Sequence, residues 1–499
     1  MRAIILAAGI GSRLHPITLK KPKTLVTVNN RPMIDYIIES LLYAGVAEIV
    51  VCTGYRSSQL HAHLSEAYSA KAKITFVENL SFQTTNNMYS LYLAREYLCG
   101  DVMLMNADLV FDKEIMAQLV VQPGCAIAVD KGNYLEEAMK LVVADGIVSS
   151  ISKQITRADA YGSSIDVYKL DAAATEVLAG YIQKIVEVEG QLNQWTEVLL
   201  DRVFKEKLIE ARPYDIGDLR WYEIDNFGDL AAAEVLFNDK LAQLNEKKVF
   251  LLDKDGTLAV GNTPIPGAVE FLKQLDTAKK KWVVASNNSS RTSEDHGHKL
   301  RALFNGEVTP QVVTSLDHAI SALKAKGVAS IYAVANRSVS TYLSSHFEFN
   351  SNNPDALLLT YDDEIDYKKL RNAIHLINAS VPYYATHIDM VCPTEAGSIP
   401  DIGTYIEMIA SCTGVRPEAT FGKPTREYLN FLLANCGTEQ DDAVLIGDRL
   451  YTDIESCAGT KVTSILVLSG ETSRAEYEFS DCHADIIVPG VETLRKFIQ

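Results

Sequence analysis

No stretch of this sequence approaches the roughly 20 consecutive apolar residues that cross a bilayer, so no membrane insertion is expected. The apolar start, residues 3–9, is too short and wrongly flanked for a signal peptide and reads as a buried strand. Positive charge is scarce: 47 Lys and Arg against 64 Asp and Glu give a net charge of -17, which argues against a nucleic-acid partner, because phosphate backbones are gripped by basic surface. The eight cysteines are scattered with no C-x-x-C pair, the pattern of reduced thiols in a cytoplasmic protein and not of a disulfide frame or zinc site. Short tandem repeats are missing too, which excludes a solenoid.

What is present is an ordinary globular composition, 47% hydrophobic and 22% charged, in a chain of 499 residues that is too long for one core. Strand-like apolar runs alternate with helical patterns in both halves, which predicts α/β architecture with parallel strands and helices on both faces. The pattern breaks at a polar segment near 236–247, and a fresh buried strand starts at Val249. Expected domains are therefore 1–238, and a second unit made of 247–315 and 405–499 with 316–404 inserted into it. Ligands of such sheets sit at the carboxyl ends of the strands.

The first strand runs into "LAAGIGSRLHP", where Gly9 and Gly11 would let backbone N–H groups turn toward phosphate oxygens. It is not a P-loop, since no G-K-[ST] follows. Arg13 and Lys23 bring positive charge to the place a triphosphate would lie. Asp108 ends a buried strand, where an aspartate has little structural purpose; Asp225 has a competing explanation as the cap of the helix beginning "FGDLAAAEVL". Two of the three tryptophans, Trp195 and Trp221, fall with Glu197 and Tyr222 in a region that could hold a cation on aromatic faces beside a carboxylate, or could simply be core.

With "KPKTLVTVNNRPMIDY", "NNMYSLYLA", "NADLVFD" and "RWYEIDNFGDL" in order, residues 1–235 resemble sugar-phosphate-type nucleotidyltransferases, and more narrowly the bacterial choline-phosphate and aminoethylphosphonate cytidylyltransferases. The resemblance implies a Rossmann-like domain that binds CTP through Leu6, Ala8, Gly9, Gly11, Asn87 and Ser90. It implies Mg2+ on Asp108 and Asp225, Lys23 and Arg13 on the reacting phosphates, and a small phospho- or phosphono-substrate. A guanylyl or uridylyl sugar- or polyol-phosphate enzyme is the alternative.

The second half opens with "LLDKDGTL", placing Asp253 and Asp255 just past a strand, followed in order by "ASNNSSR" with Ser286 and Asn287, "FGKP" with Lys423, and "IGDRLYTDI" with Asp448 and Asp453. Residues 249–499 resemble the haloacid dehalogenase superfamily. The inserted segment is similar to the α/β cap of the subgroup containing pyridoxal-phosphate, phosphoglycolate and p-nitrophenyl phosphatases. This implies a Rossmannoid domain with Asp253 as nucleophile toward a phosphomonoester, Asp255 as acid and base, and Ser286 and Lys423 on the phosphoryl oxygens. Mg2+ would be held by Asp253, Asp448 and the backbone carbonyl of Asp255. His387 and Asp389 in the cap would face substrate or simply brace a loop, and His387 stands where that subgroup usually has asparagine. A non-catalytic C-terminal module is the competing reading, and a homo-oligomer is left open.

Overall fold

In the strand Arg2–Ala7, Ile4 and Leu6 point to one side and Ala3, Ile5 and Ala7 to the other, and all five are buried. A strand apolar on both faces has to lie inside a sheet covered on both sides. In the computed structural model, which describes residues 1–132, 134, 136–394 and 397–499, two separate apolar clusters sandwich it accordingly. Glu48–Thr53 and Val102–Asn106 flank it in parallel, and Lys73–Glu78 lies beyond Glu48–Thr53. These four are the runs whose pattern predicts a parallel sheet. The remainder of the nine-stranded sheet is mixed, because Gly162–Leu170 runs antiparallel to Val102–Asn106 and pairs with Cys125–Asp130 and Lys140–Ala144.

The chain divides into two compact units, Met1–Phe237 and Asn238–Gln499. The polar segment expected to connect them belongs to the second. Asp239–Glu246 forms a 3-10 helix with Leu241 and Leu244 buried, and Asn238 Nδ2 donates to the Asp485 carbonyl at 2.9 Å. The second unit therefore starts nine residues before 247, the boundary that polarity alone suggests.

That unit holds two parallel sheets. Six strands run in the order Val312–Thr314, Lys281–Ser286, Val249–Leu252, Ala443–Gly447, Thr463–Val467 and Ile486–Val488. The smaller sheet, from the inserted segment, orders Glu348–Phe349, Ser330–Val334, Ala356–Leu359, Tyr383–Ala385 and Ala419–Thr420. Its last strand lies past residue 404, the expected end of the insertion, so the cap sheet reaches to Thr420. The intervening helix Ile402–Thr413 buries Ile402, Ile406 and Ile409 against the same sheet, and this amphipathic face is why the helix stays with the cap. Among the described residues no helix is long and apolar enough to cross a membrane.

Candidate active sites

Backbone pairing assembles the first site. Trp221–Glu223 forms a two-stranded antiparallel ribbon with Leu109–Phe111, with Glu223 opposite Leu109, and the Ile224 N–H donates to the Asp108 carbonyl at 2.9 Å. Asp108 is thereby set beside Glu223 and Asp225, more than a hundred residues away in sequence. Asn226 caps the helix Phe227–Leu236 in a capping box with Asp229. This settles the competing explanation for Asp225: its carboxylate is not the cap, and it meets Lys23 Nζ and Arg13 Nη2, each at 2.9 Å.

Lys23 Nζ bridges Asp225 and Asp108, again at 2.9 Å. Gly11 permits this. Its backbone is left-handed (φ 69°), and a Cβ there would lie 2.8 Å from the Lys23 Cβ. Burial disfavours the Lys23 ammonium, but Asp108 and Asp225 outweigh it and hold its pKa above the usual range. Burial likewise opposes the Asp225 carboxylate, and Lys23 and Arg13 hold it below. Burial and the charge of Asp108 push Glu223 up to about 8 despite Lys23. Oxygens of Asp108, Glu223 and Asp225 lie within 4.8 Å of one another, and Asp108 Oδ1 is buried with no partner among the described residues. An all-oxygen set with an unpaired buried acceptor fits a hard divalent ion such as Mg2+.

One cavity of about 370 Å³ collects these groups. Gly9, Gly11 and Arg13 lie on its rim with Leu6 and Ala8, and Asn87 and Ser90 line another wall. Asn87 Oδ1 accepts from the Thr196 N–H at 2.8 Å, and Ser90 Oγ accepts from Asn79 Nδ2 at 3.1 Å.

The second site stands at the carboxyl edge of the six-stranded sheet. The Asp253 N–H donates to the Ile446 carbonyl at 2.8 Å, so Asp253 and Asp448 leave neighbouring strands side by side. Lys423 Nζ pairs with Asp253, and with Asp453 Oδ1 at 2.6 Å. The two aspartates overcome the cost of burying this ammonium and raise its pKa. Asp448 accepts from the Glu471 N–H at 2.6 Å through Oδ2, while Oδ1 is buried and without a partner among the described residues. Burial and the charge of Asp253 push Asp448 up to about 8. Burial raises Asp453 to about 6 despite Lys423. Three carboxylates, two of them on one lysine, with ligand atoms within 4.8 Å and one orphaned oxygen, again fit Mg2+.

Asp255 pairs with Lys254 Nζ at 2.7 Å. From the cap, Asp389 accepts from Asn287 Nδ2 at 3.2 Å and lies 3.5 Å from Arg449 Nη1. Asn287 Oδ1 in turn accepts from the Lys423 N–H at 2.7 Å. One asparagine thus ties the cap to the lysine loop.

Comparison with known proteins identifies the families of the two domains. Residues 2–122 match the nucleotidyl transferase family, residues 250–346 the haloacid dehalogenase-like hydrolases, and residues 420–494 a second hydrolase family of the haloacid dehalogenase type. The chain carries a nucleotidyltransferase domain and a haloacid dehalogenase-type hydrolase domain. Over 250 residues, 48% of its length, it is 31% identical to the CMP-5'-(3-aminopropyl)phosphonate synthase of Streptomyces rubellomurinus, of which it spans only 39%. Over 229 residues it is 28% identical to the 5'-nucleotidase YutF of Bacillus subtilis, covering 46% of this chain and 89% of that protein. The 4-nitrophenylphosphatase of Thermotoga maritima is 31% identical, with 51% of this chain and 99% of that one covered at a TM-score of 0.49.

In the transferase domain, most residues expected at the site line the one cavity: Leu6, Ala8, Gly9, Gly11, Arg13, Lys23, Asn87, Ser90, Asp108, Trp195, Glu197 and Asp225. Gly9 is there without a steric need for glycine, since a Cβ would meet open space. Trp221 and Tyr222 are not part of the cavity. Trp221 is buried in the core with Nε1 donating to Asp130 Oδ2 at 2.7 Å, and Tyr222 sits opposite Val110 in the ribbon. Glu223 was not expected, although the extended "WYEID" places it on the same face as Asp225, two residues on.

In the hydrolase domain, Asp253, Asp255, Ser286, Asn287, Asp389 and Lys423 line one pocket, with Asp448 buried beneath it. His387 is buried behind Asp389, whose N–H donates to His387 Nδ1 at 3.3 Å, and does not line the pocket. Asp401, missed in the sequence, does; it also caps the helix Ile402–Thr413. Asp453, singled out together with Asp448, is buried and holds Lys423 Nζ at 2.6 Å.

Gly256 has a left-handed backbone (φ 85°), and a Cβ there would sit 2.1 Å from Asp448 Oδ2. Gly256→Ala is therefore expected to destabilise the second unit by about 1–3 kcal/mol and to remove most phosphatase activity by displacing Asp448. Thermal melts and a p-nitrophenyl phosphate assay check both effects; unchanged hydrolysis would show that Asp448 can move without consequence.

Proposed function

We propose that this chain is a bifunctional enzyme. Its transferase domain joins CMP from CTP to a small phosphorylated or phosphonate amino-alcohol-type substrate with release of pyrophosphate. Its hydrolase domain removes phosphate from a phosphomonoester through an aspartyl-phosphate. The observation that carries the first reading is Lys23 bridging Asp108 and Asp225 on the cavity whose rim is the Gly9–Arg13 loop. The choice of CTP rests on the likeness to a CMP-phosphonate synthase.

In the transfer step, a phosphonate or phosphate oxygen attacks the α-phosphorus of the nucleotide, the α–β bridging P–O bond breaks, and pyrophosphate carries away the charge. The loop and Arg13 hold the triphosphate. Lys23 neutralises charge as it develops, a role suited to a preorganised buried cation. Asp108, Glu223 and Asp225 would hold Mg2+, as Asp253 and Asp448 would in the second domain. The metal would supply Lewis-acid charge stabilisation in both.

In the hydrolase domain, a carboxylate oxygen of Asp253 forms a bond to phosphorus as the ester P–O bond breaks. Asp255 gives its proton to the leaving oxygen, then takes one from the water that cleaves the aspartyl-phosphate, releasing phosphate and restoring Asp253. Lys423, locked between Asp253 and Asp453, orients the nucleophile and meets the phosphoryl oxygens. The test is a screen of nucleoside triphosphates and phospho-substrates against full-length protein with each domain inactivated in turn. CTP-dependent pyrophosphate release that survives loss of Asp253 supports the assignment, and a clear preference for GTP or UTP would reject the cytidylyl part.

A further inference from the structure

The far wall of the transferase cavity holds two carboxylates that the transfer step does not use, Asp166 and Glu197, only 8% and 3% exposed. Asp166 is aimed there at a conformational cost. Its φ of 56° is left-handed in the middle of the strand Gly162–Leu170, where pairing with Cys125–Asp130 shifts register between Ser164 and Tyr168. A bulge of this kind re-aims a side chain, and a strained non-glycine residue persists where its surroundings hold it. The Ser164 hydroxyl helps, accepting from the Asp166 N–H at 3.1 Å.

The donors around this pair are all neutral. Asp166 Oδ2 accepts from Asn106 Nδ2 at 3.2 Å, and Oδ1 from the Tyr168 hydroxyl at 2.8 Å. The same hydroxyl lies 3.3 Å from Glu197 Oε1, yet a phenol has one proton and serves one acceptor at a time. Among the described residues no lysine, arginine or histidine bonds either carboxylate. Burial and the charge of Glu197 push Asp166 up to about 8, and burial with the charges of Glu223 and Asp108 raises Glu197. The aromatic face at this end is already taken: Lys153 Nζ sits 5.2 Å from the ring centroid of Trp195. A quaternary ammonium would lose that aromatic face and has no N–H to give; a primary ammonium brings a positive charge and three donors.

We infer that Asp166 and Glu197 form a subsite for a primary ammonium on the phospho- or phosphono-substrate, selecting it against trimethylammonium and uncharged analogues. The inference rests on the transferase reading given above and narrows its substrate class.

The test uses full-length protein with CTP and Mg2+, measuring pyrophosphate release with 2-aminoethylphosphonate, its N,N,N-trimethyl counterpart and ethylphosphonate. The primary amine is expected to have the highest kcat/KM, on the order of 100-fold above ethylphosphonate, the scale of a charge-assisted hydrogen bond. In Asp166→Asn, and separately in Glu197→Gln, that ratio should collapse toward unity, with KM for CTP as the control for an intact fold. Preference for the trimethyl substrate, or a ratio that neither variant changes, would overturn the subsite. The same amine preference with another nucleotide would reject CTP and leave the subsite standing; transfer to none of the three would reject both.

Discussion

Asp253→Asn is expected to lower phosphatase turnover by about 10⁴-fold or more, the scale seen when a covalent nucleophile is removed, while pyrophosphate release by the transferase domain continues. A neutral amide cannot form the acyl-phosphate bond, and it also loses the ion pair to Lys423. The fold should survive, because asparagine keeps the size of the side chain and Asp453 still holds Lys423 at 2.6 Å. Discontinuous assay of phosphate release checks this. Hydrolysis near the wild-type rate would assign the nucleophile to another residue.

Lys23→Ala has the second large effect: nucleotidyl transfer is expected to fall by about 10²–10³-fold, as when one preorganised charge-stabilising donor is removed. The change leaves Asp108 and Asp225 facing each other without the ammonium between them. Phosphatase activity should be unaffected, since its residues all belong to the other compact unit. Concurrent loss of phosphate release in a folded variant would mean that the two sites are coupled.

Much of this was legible in the sequence because the residues concerned sit beside strong local signals. Asp253 and Asp255 follow a fully buried strand, and Lys23 follows a glycine loop at short range. What escaped depends on long-range pairing. Glu223 enters the site only because Trp221–Glu223 pairs with Leu109–Phe111, and Asp166 only because a bulge turns it inward. Trp221 and Tyr222 went astray for the converse reason: an aromatic pair beside an acidic residue looks the same in sequence whether it cages a ligand or fills a ribbon. The cap boundary was misplaced because Ala419–Thr420, only two residues long, carries no periodic signal of its own.

The central claim, two separate phosphorus chemistries in one chain, is tested most directly by ³¹P NMR of the full-length protein. The protein is incubated with Mg2+, CTP and 2-aminoethylphosphonate, then with Mg2+ and p-nitrophenyl phosphate. The expected spectra show CTP and phosphonate signals replaced by a CMP-phosphonate mixed anhydride and pyrophosphate in the first incubation, and inorganic phosphate growing in the second. Intact CTP and phosphonate in the first, or an intact ester in the second, with the protein folded throughout, would contradict it.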